Sequence, residues 1–155
     1  MKSCRIITGA KGAGKTSAME DLAESEEKAQ GFVSVYIGSG YMLVDLSTGG
    51  GSLLMADTDL FPDRIGEWTY DQRVFDDAND AISKFTSGTV YIDEVGRLET
   101  GGGGFAPALK ALESKDVDLV VAVREDFLDD VVRAFSLDSC PLTVSEVILQ
   151  EEDES

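Results

Sequence analysis

The residues best suited to chemistry stand close to the start of the chain. Gly9-Ala10-Lys11-Gly12-Ala13-Gly14-Lys15-Thr16 fits the spacing Gly-x-x-x-x-Gly-Lys-Ser/Thr. Glycines at these positions let backbone N–H groups turn inward and approach phosphate oxygens without a Cβ in the way. A helix opening at Lys15 would aim its uncapped N–H groups and positive dipole end at the same anion, with Ser17 in its first turn. Lys15 brings a full charge to β- and γ-phosphates, and the Thr16 hydroxyl is a hard oxygen ligand for Mg²⁺. The pattern is that of a grip on a polyphosphate.

A second chemical group lies far downstream. Val90-Tyr91-Ile92-Asp93-Glu94 is an apolar strand closed by two carboxylates. In open α/β sheets, ligands gather at the carboxyl ends of strands. Asp93 is therefore expected to reach Mg²⁺ beside Thr16, and Glu94 to orient or deprotonate an attacking water. The sequence has no histidine, so a carboxylate is the natural base. Phosphoryl transfer also wants a further cation on the γ-phosphate. Arg97 and Arg124 are the first candidates, and Arg73 is a third.

These groups need elements to hold them. Cys4–Thr8 reads as a first strand, and Thr16–Gln30 as a helix with Gly31 at its C-terminus. Phe32–Ile37, Tyr41–Leu46 and Ser52–Ala56, separated by glycine turns, predict an inserted β-meander. Thr58–Tyr70 reads as a loop with one extended piece near Ile65–Thr69. Asp71 is expected to cap a helix running to Phe85. Strands are expected at Thr89–Ile92, Leu119–Val123 and Leu142–Leu149, and helices at Phe105–Ser114 and Asp126–Phe135. The run Gly101–Gly104 reads as a mobile loop. Strands alternating with helices predict a three-layer α/β domain around a mainly parallel sheet, spanning residues 1–150, with 151–155 a frayed acidic tail.

Composition narrows the partners. The 155 residues carry a formal charge of −17, which repels nucleic-acid backbones and anionic membrane surfaces. Neither is expected as a partner. Cys4 and Cys140 make neither a disulfide framework nor a zinc site, and Cys4 is expected to be buried and inert. With no signal peptide or long apolar run in view, the expected setting is the cytoplasm, as a monomer or weak homo-oligomer.

The glycine loop, the Gly31-Phe32 start of the meander and Asp93-Glu94-Val95-Gly96-Arg97-Leu98-Glu99 together resemble the THEP1-type nucleoside-triphosphatases. The likeness continues through Phe105-Ala106-Pro107-Ala108-Leu109 to Val123-Arg124, so it covers most of the chain. It implies a P-loop fold similar to RecA-like NTPases, phosphates bound by Gly9 to Thr16, and a catalytic face at Asp93 to Glu99. The implied activity is hydrolysis of ATP, GTP and other NTPs to the diphosphate and phosphate. The loop has Ala10-Lys11 where the family often has prolines, which loosens it and adds a cation.

Three readings follow. The first is an Mg²⁺-dependent hydrolase with Lys15 and Glu94 as its catalytic residues. The second is a kinase passing the γ-phosphate to a small acceptor, although the six arginines form no arginine-rich lid. The third is a nucleotide-binding switch with slow turnover. Trp68 and Tyr70 read as core or rim rather than as a stacking platform. Base recognition is expected from the loop after Val123.

Overall fold

Alternation along the strands sets the layers. In β1 (Ser3–Gly9), Cys4 and Ile6 face one side of the sheet and Ile7 the other. In β8 (Asp118–Arg124), Leu119, Val121 and Val123 share the first side, while Val120 and Ala122 share the second. Strands apolar on both faces must be covered twice. One face packs against α1 (Lys15–Glu24) through Met19 and Ala23. The other packs against α2 (Gln72–Ser83), α4 (Ala106–Leu112) and α5 (Leu128–Phe135), with the four-residue α3 (Arg97–Thr100) beside α4 and α5. The computed structural model describes residues 1–148, so the expected tail at 151–155 lies outside the described residues, as does Leu149. Among the described residues, no helix is long and apolar enough to cross a membrane.

The remaining strands are β2 (Gln30–Tyr36), β3 (Gly40–Asp45), β4 (Gly51–Ala56), β5 (Asp63–Ile65), β6 (Trp68–Tyr70), β7 (Thr89–Val95) and β9 (Leu142–Glu146). Their order is β5-β6-β4-β3-β2-β7-β8-β1-β9. The expectation of a mainly parallel sheet is corrected: the sheet is mixed. Strands β2, β7, β8, β1 and β9 run parallel, and the pairs from β2 outward to β5 are antiparallel. The cause is the meander. It continues the sheet directly from β2, and tight turns can only reverse a chain.

Three local expectations also change. Helix α1 stops at Glu24, six residues short of Gln30, because Gln30 and Gly31 are taken into β2 opposite Val90 and Tyr91. Gly31 therefore serves a strand: at φ 116°, a Cβ there would lie 2.0 Å from the Tyr91 carbonyl oxygen. The presumed loop before α2 contains the β5–β6 hairpin. Gly101–Gly104 is a hydrogen-bonded turn, with Gly102 N–H donating to Glu99 and Gly103 N–H to Leu98, and α4 follows it directly. Asp71 does cap α2, its carboxylate accepting from Arg73 N–H at 3.0 Å. Cys4 is buried, and that burial pushes its thiol up to about 12.

Candidate active site

The glycine loop bends between the end of β1 and the start of α1. Gly12 and Gly14 take φ 78° and 100°, which side-chain-bearing residues rarely adopt, and Ala13 N–H closes the turn on the Ala10 carbonyl at 3.1 Å. No side chain caps the N-terminus of α1, and its first turn holds no acid. Its first N–H groups are therefore left open to an anion. Lys15 is buried, and its Nζ donates to the carbonyls of Ala10 at 2.9 Å and Gly9 at 3.4 Å. That holds the ammonium group at the loop. Gly9 itself is packed against backbone: a Cβ there would lie 2.5 Å from the Val147 carbonyl oxygen.

Strand β7 delivers the acids. Its register with β8 slips between Ile92 and Val95, with Ile92 opposite Val121 and Val95 opposite Val123. The extra residue breaks the strict in-out alternation, so both Ile92 and Val95 enter the same core while the two carboxylates come between them. Asp93 is fully buried and accepts from the Thr16 hydroxyl at 2.6 Å and from Ser34 N–H at 3.1 Å, both through Oδ2. The Ser34 hydroxyl fixes the same turn by donating to the Asp93 carbonyl at 3.0 Å. Burial pushes Asp93 up to about 7; Glu94 adds to the rise, while the Thr16 hydroxyl, Ser34 N–H and Lys15 oppose it. Its other oxygen, Oδ1, has no hydrogen-bond partner among the described residues.

That orphaned oxygen tests the metal expectation. A buried carboxylate oxygen with no donor, beside a threonine hydroxyl, fits a hard divalent cation or its water shell. Among the described residues, no cluster of three or more Cys, Asp or Glu residues could hold a metal alone. A cation here would therefore draw most of its ligands from phosphate oxygens and water, as Mg²⁺ does.

Above this pair opens a cleft of about 840 Å³, lined by Lys11, Gly12, Gly14, Lys15, Thr16 and Ser17 of the loop, by Arg124 of β8, which pairs with Gly9 in the sheet, and by Glu94 and Arg97. Asp93 is buried and does not line it, whereas Glu94 is exposed and does. Arg97 is exposed with no ion-pair partner among the described residues; its guanidinium lies beside Gly66 at the β5–β6 turn. Arg124 is half-buried, paired with Asp126 at 3.0 Å and lying over the Phe127 ring at 5.1 Å. Arg73 is not brought to the cleft. It forms a two-pronged pair with Asp71 on the surface.

Two further groups take their places from the fold. Glu99 is buried, and its carboxylate accepts from Gly96 N–H at 2.8 Å and Phe105 N–H at 2.9 Å, tying the end of β7 to the start of α4. Gly104 is the residue that admits it, since a Cβ there would sit 1.9 Å from Glu99 Oε2. Asn79 of α2 completes the clamp, donating to the Gly104 carbonyl at 2.9 Å and accepting from Ala108 N–H at 3.2 Å. The other group is aromatic: Tyr36, Tyr41 and Trp68 all line the cleft, whereas Tyr70 packs into the core against Phe75. Trp68 thus belongs to the rim of the site.

Across residues 4–153 the chain matches the family model described as NTPase. The chain belongs to that NTPase family. As a THEP1-type NTPase it is a nucleoside-triphosphate hydrolase. The fold of this NTPase is shared with the crystal structure of THEP1 from the hyperthermophile Aquifex aeolicus, at TM-score 0.70 and 19% identity over 97% of this chain and 92% of that one. It is also shared with the solution structure of a human cancer-related nucleoside triphosphatase, at TM-score 0.67 and 20% identity over 99% and 91% of the two chains. No curated protein matches the NTPase sequence.

Proposed function

We propose that the chain hydrolyses ATP, GTP and other nucleoside triphosphates to the diphosphate and phosphate in an Mg²⁺-dependent reaction. The observation that carries this reading is the 2.6 Å bond from the Thr16 hydroxyl to the buried Asp93, which joins the glycine loop to the acidic strand end. In this reading the amides from Gly9 to Ser17 grip the phosphates, and Lys15 neutralises the β- and γ-oxygens. Thr16 and Asp93 would hold the cation, directly or through water. When bound, Mg²⁺ would supply charge neutralisation to the triphosphate.

Glu94 is the one carboxylate that both adjoins Asp93 and faces the cleft. It accepts the proton of the water that attacks the γ-phosphorus. Arg97 and Arg124 face the same space and are placed to offset the negative charge that moves toward the leaving diphosphate. The cleft is reached by a mobile anion rather than by a polymer, in keeping with the charge of −17. The protein is taken to work as a monomer or weak homo-oligomer in the cytoplasm.

The test is phosphate release from Mg-ATP and Mg-GTP by the purified chain with no acceptor present, with and without excess EDTA. Release that EDTA abolishes supports the reading. Equal release with EDTA removes the metal role, and tight binding without release leaves a nucleotide switch.

A further inference from the structure

The cleft continues well past the γ-phosphate end of the site. From the glycine loop on β1, the sheet runs through β8 to β7, which carries Asp93 and Glu94, and then on to β2, β3, β4 and β6. The three aromatic rings stand on that far side. Tyr36 ends β2, Tyr41 lies opposite it on β3, and Trp68 begins β6. The Tyr36–Tyr41 and Tyr41–Trp68 ring centroids are each 5.3 Å apart. Tyr36 leaves 60% of its surface exposed, and all three rings line the cleft. Neighbouring strands are about 4.8 Å apart, so this shelf begins roughly one strand beyond Glu94.

The direction of a bound triphosphate decides what the shelf can hold. A glycine loop cradles the α- and β-phosphates, while its lysine and the cation take the β- and γ-phosphates. The γ-phosphorus therefore points toward Asp93 and Glu94, and the nucleoside leaves from the loop end. The shelf lies on the opposite side. One extended nucleotide cannot keep its γ-phosphate at Glu94 and its base on Trp68.

We propose that the shelf binds a second molecule, a neutral nucleoside, and that the γ-phosphate passes to its hydroxyl as an alternative to water. This rests on the triphosphate reading above. A base stacks on aromatic faces whatever its identity. Glu20, Glu67 and Glu94 line the same cleft, and its arginines, Arg97 and Arg124, are assigned above to the triphosphate, so an uncharged nucleoside is favoured over a second polyanion. The step balances. The hydroxyl oxygen forms a bond to the γ-phosphorus, the bond from that phosphorus to the β–γ bridging oxygen breaks, and the hydroxyl proton goes to Glu94. A nucleoside monophosphate and a nucleoside diphosphate leave.

Trp68 is the chain's single tryptophan, so it reports its own contacts. The experiment incubates the full chain with γ-labelled Mg-ATP and, separately, adenosine, guanosine, cytidine, uridine and thymidine at millimolar concentration. Labelled nucleoside monophosphate is expected with at least one of them. That nucleoside alone should also quench Trp68 fluorescence. Trp68→Ala should lower the ratio of nucleotide product to free phosphate at least tenfold, and Trp68→Phe should restore most of it. Free phosphate as the sole product, with no quenching by any nucleoside, overturns the acceptor and leaves the hydrolase standing. Neither product, with no ATP binding, removes both.

Discussion

The two halves of the sheet are built by different rules. Strands β1, β7 and β8 are parallel, apolar on both faces and almost wholly buried, and their carboxyl ends carry the glycine loop, Asp93 and Glu94. Strands β3 to β6 are antiparallel, shorter and partly exposed, and they contribute rings rather than charges to the cleft. A carboxylate buried like Asp93 needs neighbours that cannot move, and strands packed between two helical layers supply them. A surface that receives a planar ligand needs only exposed area. Rigidity sits where charge is handled, and openness where shape is.

The largest effect expected from this division is at Lys15. Lys15→Ala should cut triphosphate turnover by about 10³-fold or more, since it removes a full charge from the phosphate site. Retained activity in a phosphate-release assay would place the chemistry elsewhere. Glu94→Gln should slow turnover by about 10²-fold and leave nucleotide affinity in place. Weaker binding with an unchanged rate would make Glu94 a structural residue.

Gly104→Ala tests the support under the parallel half. Its Cβ would strike the Glu99 carboxylate, at a backbone φ of 55°, so the chain should lose about 2 kcal/mol or more of stability in urea unfolding. No loss would mean that the turn can shift freely around Glu99.

Proton linkage gives a fourth check. Burial pushes Asp93 and Glu99 each up to about 7, from ordinary values of 3.8 and 4.5. The unfolded chain therefore gives up these protons first. Stability falls as pH rises from about those ordinary values through about 7, then levels once both states are ionised. Each group contributes a slope of at most about 1.4 kcal/mol per pH unit within its window. In metal-free buffer, Asp93→Asn should make the measured slope shallower. An unchanged slope would show that Asp93 is ionised throughout.

The smallest effect is expected in the antiparallel half. Thr69 is buried, and its hydroxyl donates to the Thr58 carbonyl at 2.7 Å and accepts from Phe61 N–H at 3.3 Å. Thr69→Val should cost about 1 kcal/mol through those bonds and change phosphate release less than twofold. A collapse in turnover would tie the two halves more closely than their packing suggests.

How much the sequence shows follows the same division. The three meander strands were legible because Gly38-Ser39-Gly40 and Gly49-Gly50-Gly51 mark turns between apolar runs, and β8 because Leu119–Val123 is apolar without a break. The mixed sheet was not, because a pattern of runs does not say which edge a meander joins. The end of α1 was missed for a tertiary reason: Gln30 and Gly31 are claimed by β7, and Glu26 accepts a hydrogen bond from the Tyr91 hydroxyl. At the site, the spacing of Gly9 to Thr16 and the Asp93-Glu94 pair could be read directly. The aromatic shelf could not, since Tyr36, Tyr41 and Trp68 meet only through the sheet order. Glu99, the last acid of the Asp93–Glu99 motif, could be read as a residue that holds a loop, and its bonds to Gly96 and Phe105 do that.

Strand β2 has a parallel partner on one side, over Gln30–Phe32 only, and an antiparallel one on the other, over Phe32–Tyr36. The ladder joining the two halves is therefore three residues long. Such a short seam is expected to act as a boundary between cooperative units in native-state amide exchange. Amides of β7, β8 and β1 would exchange only on global unfolding, while those of β3 to β6 would open as a separate flap.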